Sequence, residues 1–174
     1  SENIHNPKEI IVEIYEMLPD EMKSSFIFDI ELQNAPIQIS YYYFFKLCYE
    51  LIDNAIKFSE NNSKIIIKSE IQYNYYVITI TDYGLGMTQE QINNIGAYKQ
   101  FNRNINEQQG TGLGLIIAKL ITKIHRGIFK IESKINNGTT IEVHIPLYQN
   151  KHCIKEKNSS IEFQSSLDFN LIYS

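Results

Sequence analysis

Tryptophan is absent, and cysteine is limited to Cys48 and Cys153, which lie far apart with no second cysteine or suitably spaced histidine beside either. That excludes a zinc ligand set and a paired-cysteine redox motif, so both read as ordinary thiols of a reducing compartment. No apolar run approaches the roughly 20 residues needed to cross a bilayer, and the N-terminus has neither a basic start nor an apolar signal region. Because the chain begins at Ser1 rather than Met, we read it as an excised piece, itself soluble and cytoplasmic, from a parent that is free to be membrane-anchored. Excess basic charge is also missing. Sixteen Lys and Arg against twenty Asp and Glu leave a formal charge of −4, with no basic run suited to nucleic acid or an anionic membrane surface.

What is present suffices for one ordinary domain: 174 residues, of which 43% are hydrophobic. Asn6-Pro7-Lys8-Glu9 has the spacing of a capping box with proline at the first helical position, and a helix is expected to follow. Ile10, Ile11, Ile14, Met17 and Leu18 then recur on one helical face until Pro19. Phe26, Phe28, Ile30 and Leu32 alternate with Ile27, Asp29 and Glu31, a strand pattern. Residues 41–58 predict a second helix, with Tyr43, Leu47, Cys48, Leu51, Ile52, Ala55 and Phe58 on its apolar side. A long hairpin is expected from 64–71 and 76–82. Residues 92–110 are polar and weakly periodic, which suggests a loop or lid. A third helix is expected over 112–125 with Leu113, Ile116, Ile117, Leu120, Ile121 and Ile124 inward, then a closing hairpin from 128–133 and 140–146. This order implies an α+β two-layer sandwich, a mostly antiparallel mixed sheet covered by helices on one face, over residues 1–148. Residues 149–174 read as a polar tail or linker.

Three places can carry chemistry. Glu50, Asn54 and Lys57 are spaced i, i+4, i+7, so they fall within about 60° of one another and form one polar stripe on the rim of the second helix. Taken alone, such a stripe is more often a solvated charged face. In Asp82-Tyr83-Gly84-Leu85-Gly86 a carboxylate ends a buried strand, and a buried carboxylate needs a donor. Adenine offers an amine where guanine offers an acceptor, so such a site favours adenine. Taken alone, this is also a common turn. Gly110-Thr111-Gly112-Leu113-Gly114 runs directly into a helix, where free N–H groups and the helix dipole favour phosphate. It has no Gly-Lys-Ser/Thr of a Walker loop, and Leu115 and Ile117 stand where a dinucleotide fingerprint needs glycine.

In this order and spacing, the chain resembles the GHKL ATPase superfamily, and within it the ATP-binding catalytic domains of histidine kinases. Residues 50–59 resemble the N box, 82–86 the first glycine box and 110–115 the second. Phe101-Asn102-Arg103 resembles the F box, and Gly138-Thr139-Thr140-Ile141 the strand near the domain's end, the resemblance covering roughly residues 8–147.

The resemblance implies the Bergerat ATP-binding fold, ATP and Mg²⁺ as cofactors, and transfer of the γ-phosphoryl group to a histidine on a separate dimerisation domain. By the same resemblance, Asp82 receives the adenine amine with support from Thr140, while Gly84 and Gly86 lie beside the base. Asn54 binds Mg²⁺ and Lys57 approaches the phosphates; Phe101 and Arg103 belong to the lid. The amides of Gly110, Thr111, Gly112, Leu113 and Gly114 hold the phosphates, and Glu50 orients or deprotonates the nucleophile. The implied partners are an upstream phosphoacceptor domain and a response regulator, with a monomeric fragment and a homodimeric parent. None of His5, His125, His144 and His152 stands in the family's phosphoacceptor pattern, so no nucleophile is expected in this chain. An anti-sigma-type serine kinase and a non-catalytic ATP-sensing module share these boxes and are the alternatives. One departure is Arg126, which stands in His125-Arg126-Gly127 where the family often has His-Gly-Gly.

Overall fold

The computed structural model describes residues 3–4, 6–97 and 113–149. In chain order the elements are α1 (Pro7–Glu16), α2 (Asp20–Ser25), β1 (Ile27–Leu32), α3 (Tyr41–Phe58), β2 (Lys64–Gln72), β3 (Tyr75–Asp82), α4 (Gln89–Ala97), α5 (Leu113–Ile124), β4 (Ile128–Ser133) and β5 (Thr139–Pro146). The strands form one sheet in the order β1-β2-β3-β5-β4. β1 runs parallel to β2, which requires the crossover that α3 supplies, and the other pairs are antiparallel.

Strand alternation assigns the two faces. Phe28, Ile30, Ile65, Ile67, Ile78, Ile80, Ile141 and Val143 join the apolar core beneath the helices. The opposite face carries cross-strand ion pairs, Lys64 with Asp29 at 2.7 Å, Lys68 with Glu31 at 3.2 Å and Lys130 with Glu142 at 2.6 Å, as befits a solvated sheet face. The two-layer expectation therefore holds, with the helices among the described residues on one side of the sheet. Among the described residues no helix is long and apolar enough to cross a membrane.

Several local expectations are corrected. α1 begins at Pro7, yet Asn6 makes no side-chain cap bond and its Oδ1 is buried without a partner. Met17 lies just past the helix and is exposed. On α3 the fully buried aromatic is Phe44, whereas Tyr43 is turned outward against His125. On α5 the buried line is Leu115, Ala118, Ile121 and Thr122; Leu113, Leu120 and Ile124 are exposed, and Ile116 and Ile117 are half-buried against the core. An unbroken apolar sequence fits more than one helical phase, and the neighbours α3 and β4 select one. The short α2 has no counterpart in the sequence reading.

Part of the expected lid is a helix. Gln89–Ala97 forms α4, capped by a reciprocal pair in which the Gln91 amide N–H donates to Thr88 Oγ1 (3.2 Å) and the Thr88 N–H donates to Gln91 Oε1 (2.8 Å). Thr88-Gln89-Glu90-Gln91 carries that capping-box signature in the sequence, where the polar composition after it masks the signal.

Candidate functional site

The polar stripe of α3 is built as expected but is wired in a way the spacing alone does not reveal. Glu50 is nearly buried, its side chain 13% exposed, and Oε1 lies 2.5 Å from Lys46 Nζ. Asn54, one turn on, is half-buried. Lys57 is paired backward with Asp53 at 2.5 Å, and this bond to Asp53 pushes its pKa up. Both cations of this helix face are therefore held by carboxylates four residues away, a spacing that brings side chains onto one surface.

Gly114 fits against this stripe. A Cβ on it would lie 2.5 Å from Glu50 Oε2, so the start of α5 packs close to the tip of this acid, and a side chain at residue 114 would require that tip to shift. Leu113, the first residue of α5, is exposed. Phe101, Arg103, Gly110, Thr111 and Gly112 lie outside the described residues.

Asp82 ends β3 on the helix-facing side of the sheet and is only 3% exposed. Its carboxylate accepts the Gly84 N–H at 2.9 Å and a second backbone hydrogen bond from Thr139. Burial nevertheless dominates and raises its pKa above the usual aspartate value, with those two bonds opposing. Two donors do not saturate a carboxylate, which can accept about four hydrogen bonds.

The glycines after Asp82 have a structural reason of their own. A Cβ on Gly84 would lie 1.8 Å from the Phe58 carbonyl oxygen at the end of α3, and the neighbouring Leu85 N–H donates to that same oxygen at 3.0 Å. Gly86 has φ +63°, and its Cβ direction is filled by the Lys134 carbonyl. Gly138, at φ +85°, backs onto the Asp82 carbonyl in the same way. These close approaches tie the end of β3 to α3 on one side and to the β4–β5 turn on the other.

Thr140 is not placed beside Asp82. The register pairs Asp82 with Thr139 and Thr81 with Thr140, and the Thr81 and Thr140 hydroxyls meet at 3.0 Å on the face away from the helices. Alternation along a strand makes a one-residue difference a change of face. Thr139, 5% exposed with its hydroxyl 2.9 Å from Ser133 Oγ, is the threonine that shares the face of Asp82. The sequence contains two adjacent threonines, and only pairing with β3 tells them apart.

The residues fit Mg-ATP. Asp82 keeps acceptor capacity for an amine, and Asn54 offers a neutral amide oxygen one helical turn from Glu50. Among the described residues no group of three His, Cys, Asp or Glu side chains could hold a metal by itself. A hard divalent ion at Asn54 would take most of its ligands from phosphate oxygens and water, as Mg²⁺ commonly does.

Comparison with known proteins agrees with the geometry. Residues 43–149 match the family model described as histidine kinase-, DNA gyrase B- and HSP90-like ATPase. The signal transduction histidine-protein kinase ArlS of Staphylococcus aureus (strain USA300) is 32% identical over 145 residues, which covers 82% of this chain and 32% of that protein. The chain thus spans about a third of the length of the curated relatives it matches. Among solved structures, the catalytic domain of histidine kinase ThkA superposes with a TM-score of 0.70 at 26% identity, covering 84% of this chain and 95% of that one. A mycobacterial sensor histidine kinase, MprB, shares the fold at a TM-score of 0.70 and 21% identity, covering 86% and 99%. The chain belongs to the histidine kinase-, DNA gyrase B- and HSP90-like ATPase family, and it corresponds to the ATP-binding catalytic domain found in histidine kinases.

Proposed function

We propose that this domain holds Mg-ATP between α3, α5 and the end of β3 and presents its γ-phosphate to a histidine on a separate dimerisation domain of a homodimeric parent. The single observation that carries the nucleotide assignment is Asp82, a buried carboxylate with two backbone donors and lone pairs left for a third. An adenine amine supplies that donor, with Thr139 rather than Thr140 beside it. Bound Mg-ATP supplies the transferable phosphoryl group and the cation that neutralises its charge.

The chain's own residues do the rest. Asn54 presents an amide oxygen toward the cation. Lys57 has to leave Asp53 to reach a phosphate, a modest cost because the pair is largely exposed. Glu50 orients or deprotonates the incoming nucleophile, since it stands one turn before Asn54 and faces the start of α5. Phosphoryl transfer asks mainly for alignment and charge neutralisation, so a domain that holds Mg-ATP without its own nucleophile is chemically sensible, and it is completed by the histidine of the separate phosphoacceptor domain. Likeness to a signal transduction histidine-protein kinase supports a signalling parent, for which a response regulator is the proposed downstream partner.

The test is to incubate the full-length parent with Mg-ATP and analyse the product. Acid-labile phosphohistidine is expected; acid-stable phosphoserine on a partner would favour a serine kinase, and ATP binding with no transfer would favour a sensing module.

A further inference from the structure

Lys46 has no part in the three sequence boxes, yet it is the residue that holds Glu50. Its Nζ lies 2.5 Å from Glu50 Oε1, while Oε2 is bounded by the start of α5 at Gly114. The lysine is itself supported, since its ammonium lies 5.9 Å from the centroid of the Tyr49 ring, and Tyr49 stacks on Phe45 with centroids 6.3 Å apart and planes at 10°. Lys46 is 39% exposed and Glu50 13%, so solvent reaches the cation more readily than the acid it grips.

A pair of this kind adds little to stability. Its consequence is orientational. A glutamate side chain rotates about three bonds, and a cation on one oxygen with backbone close to the other restricts those rotations. We infer that Lys46 is a positioning residue that fixes the Glu50 side chain with its second oxygen, Oε2, directed toward the start of α5. This rests on the reading of Glu50 as the group that handles the nucleophile.

The experiment compares Lys46→Met, Lys46→Arg, Glu50→Gln and the double variant K46M/E50Q, measuring phosphohistidine formation by the full-length kinase and ATP affinity by calorimetry. Lys46→Met keeps the aliphatic stem and loses the cation. It should slow transfer about ten- to a hundred-fold at saturating ATP with ATP affinity unchanged, the scale expected when a catalytic group is misplaced. Lys46→Arg should recover part of the rate. In the Glu50→Gln background, Lys46→Met should add no further loss, because a residue acting through Glu50 has nothing left to position.

Wild-type transfer by Lys46→Met, with Glu50→Gln slow, overturns the Lys46 assignment and leaves the Glu50 reading standing. Equal losses from Lys46→Met in both backgrounds also overturn it, as does a loss of ATP affinity that parallels the loss of rate. Wild-type transfer by Glu50→Gln removes the reading of Glu50 itself.

Discussion

A methyl group on Gly114 would stand 2.5 Å from Glu50 Oε2, so the second glycine box and the N box meet at one glycine and one acid. The start of α5 and the proposed catalytic group are thereby set close to each other. Activity and stability should consequently respond in opposite directions to substitution here. Gly114→Ala replaces a helical glycine, which by propensity alone is worth about 0.5–1 kcal/mol of added stability. The new methyl displaces a carboxylate that Lys46 pins, so transfer should fall about ten-fold or more. Thermal unfolding together with single-turnover transfer would check this, and undiminished transfer would show that Glu50 moves aside freely.

Asp82→Ala should weaken ATP binding by about 1.5–3 kcal/mol, the usual worth of a hydrogen bond to a charged group, or roughly ten- to a hundred-fold. Calorimetry with Mg-ATP is the direct measurement; unchanged affinity would remove the adenine assignment.

The same residue sets a pH dependence. Burial raises the folded-state pKa of Asp82 above its ordinary value. For such a group the stabilising contribution to the nucleotide-free fold is fully present below the unfolded pKa and is lost as pH rises through the folded value. ATP affinity should move the other way. It should fall on acidification as the carboxylate gains a proton and stops accepting, starting at a pH above the usual aspartate range. Affinity titrated against pH in wild type and Asp82→Asn would reveal this; parallel curves would contradict it.

Thr139 and Thr140 should separate cleanly. Thr139→Val removes a hydroxyl on the face of Asp82, and ATP affinity should drop several-fold. Thr140→Val breaks only the 3.0 Å contact with Thr81 on the opposite face, costing about 0.5–1.5 kcal/mol of stability without changing ATP affinity. Reversal of that pattern would assign Thr140 rather than Thr139 to the nucleotide.

Arg126 resolves the departure from His-Gly-Gly. It has φ +58° and follows α5, with its N–H bonded to the Lys123 carbonyl at 3.0 Å and the Gly127 N–H bonded to the Thr122 carbonyl at 2.9 Å. That pair of bonds is a Schellman cap, whose left-handed position favours glycine. Arg126→Gly should therefore stabilise the domain by about 1 kcal/mol, the cost of holding a side-chain residue in that conformation. Denaturant unfolding would measure it, with ATP affinity unaffected.

The elements themselves were legible because their periods are strong. The apolar spacing of residues 41–58 and the alternation of 26–32 and 76–82 identify one helix and two strands, close to the observed limits. The order of boxes along the chain was enough for the family, since each box is local and its residue types follow from its chemistry. By the same means Thr88 and Gln91 mark the start of α4, a signal masked by the polar stretch that follows.

Contacts between elements could not be read in this way. Which threonine faces Asp82 depends on a one-residue register between β3 and β5. Which apolar residues of α5 are buried depends on the angle at which it meets its neighbours. Gly84 reads in the sequence as a glycine kept clear for a base, and in the fold as the point where the end of α3 touches the loop. Sequence alone therefore determined the chemistry available, a carboxylate for adenine, an amide for a cation and an acid for a nucleophile. Tertiary structure decided the facing of those groups, because strand register, helix phase and the approach of one backbone to another are settled by packing between segments distant in the chain. The contact of Gly114 with Glu50, across more than sixty residues of sequence, is of that second kind.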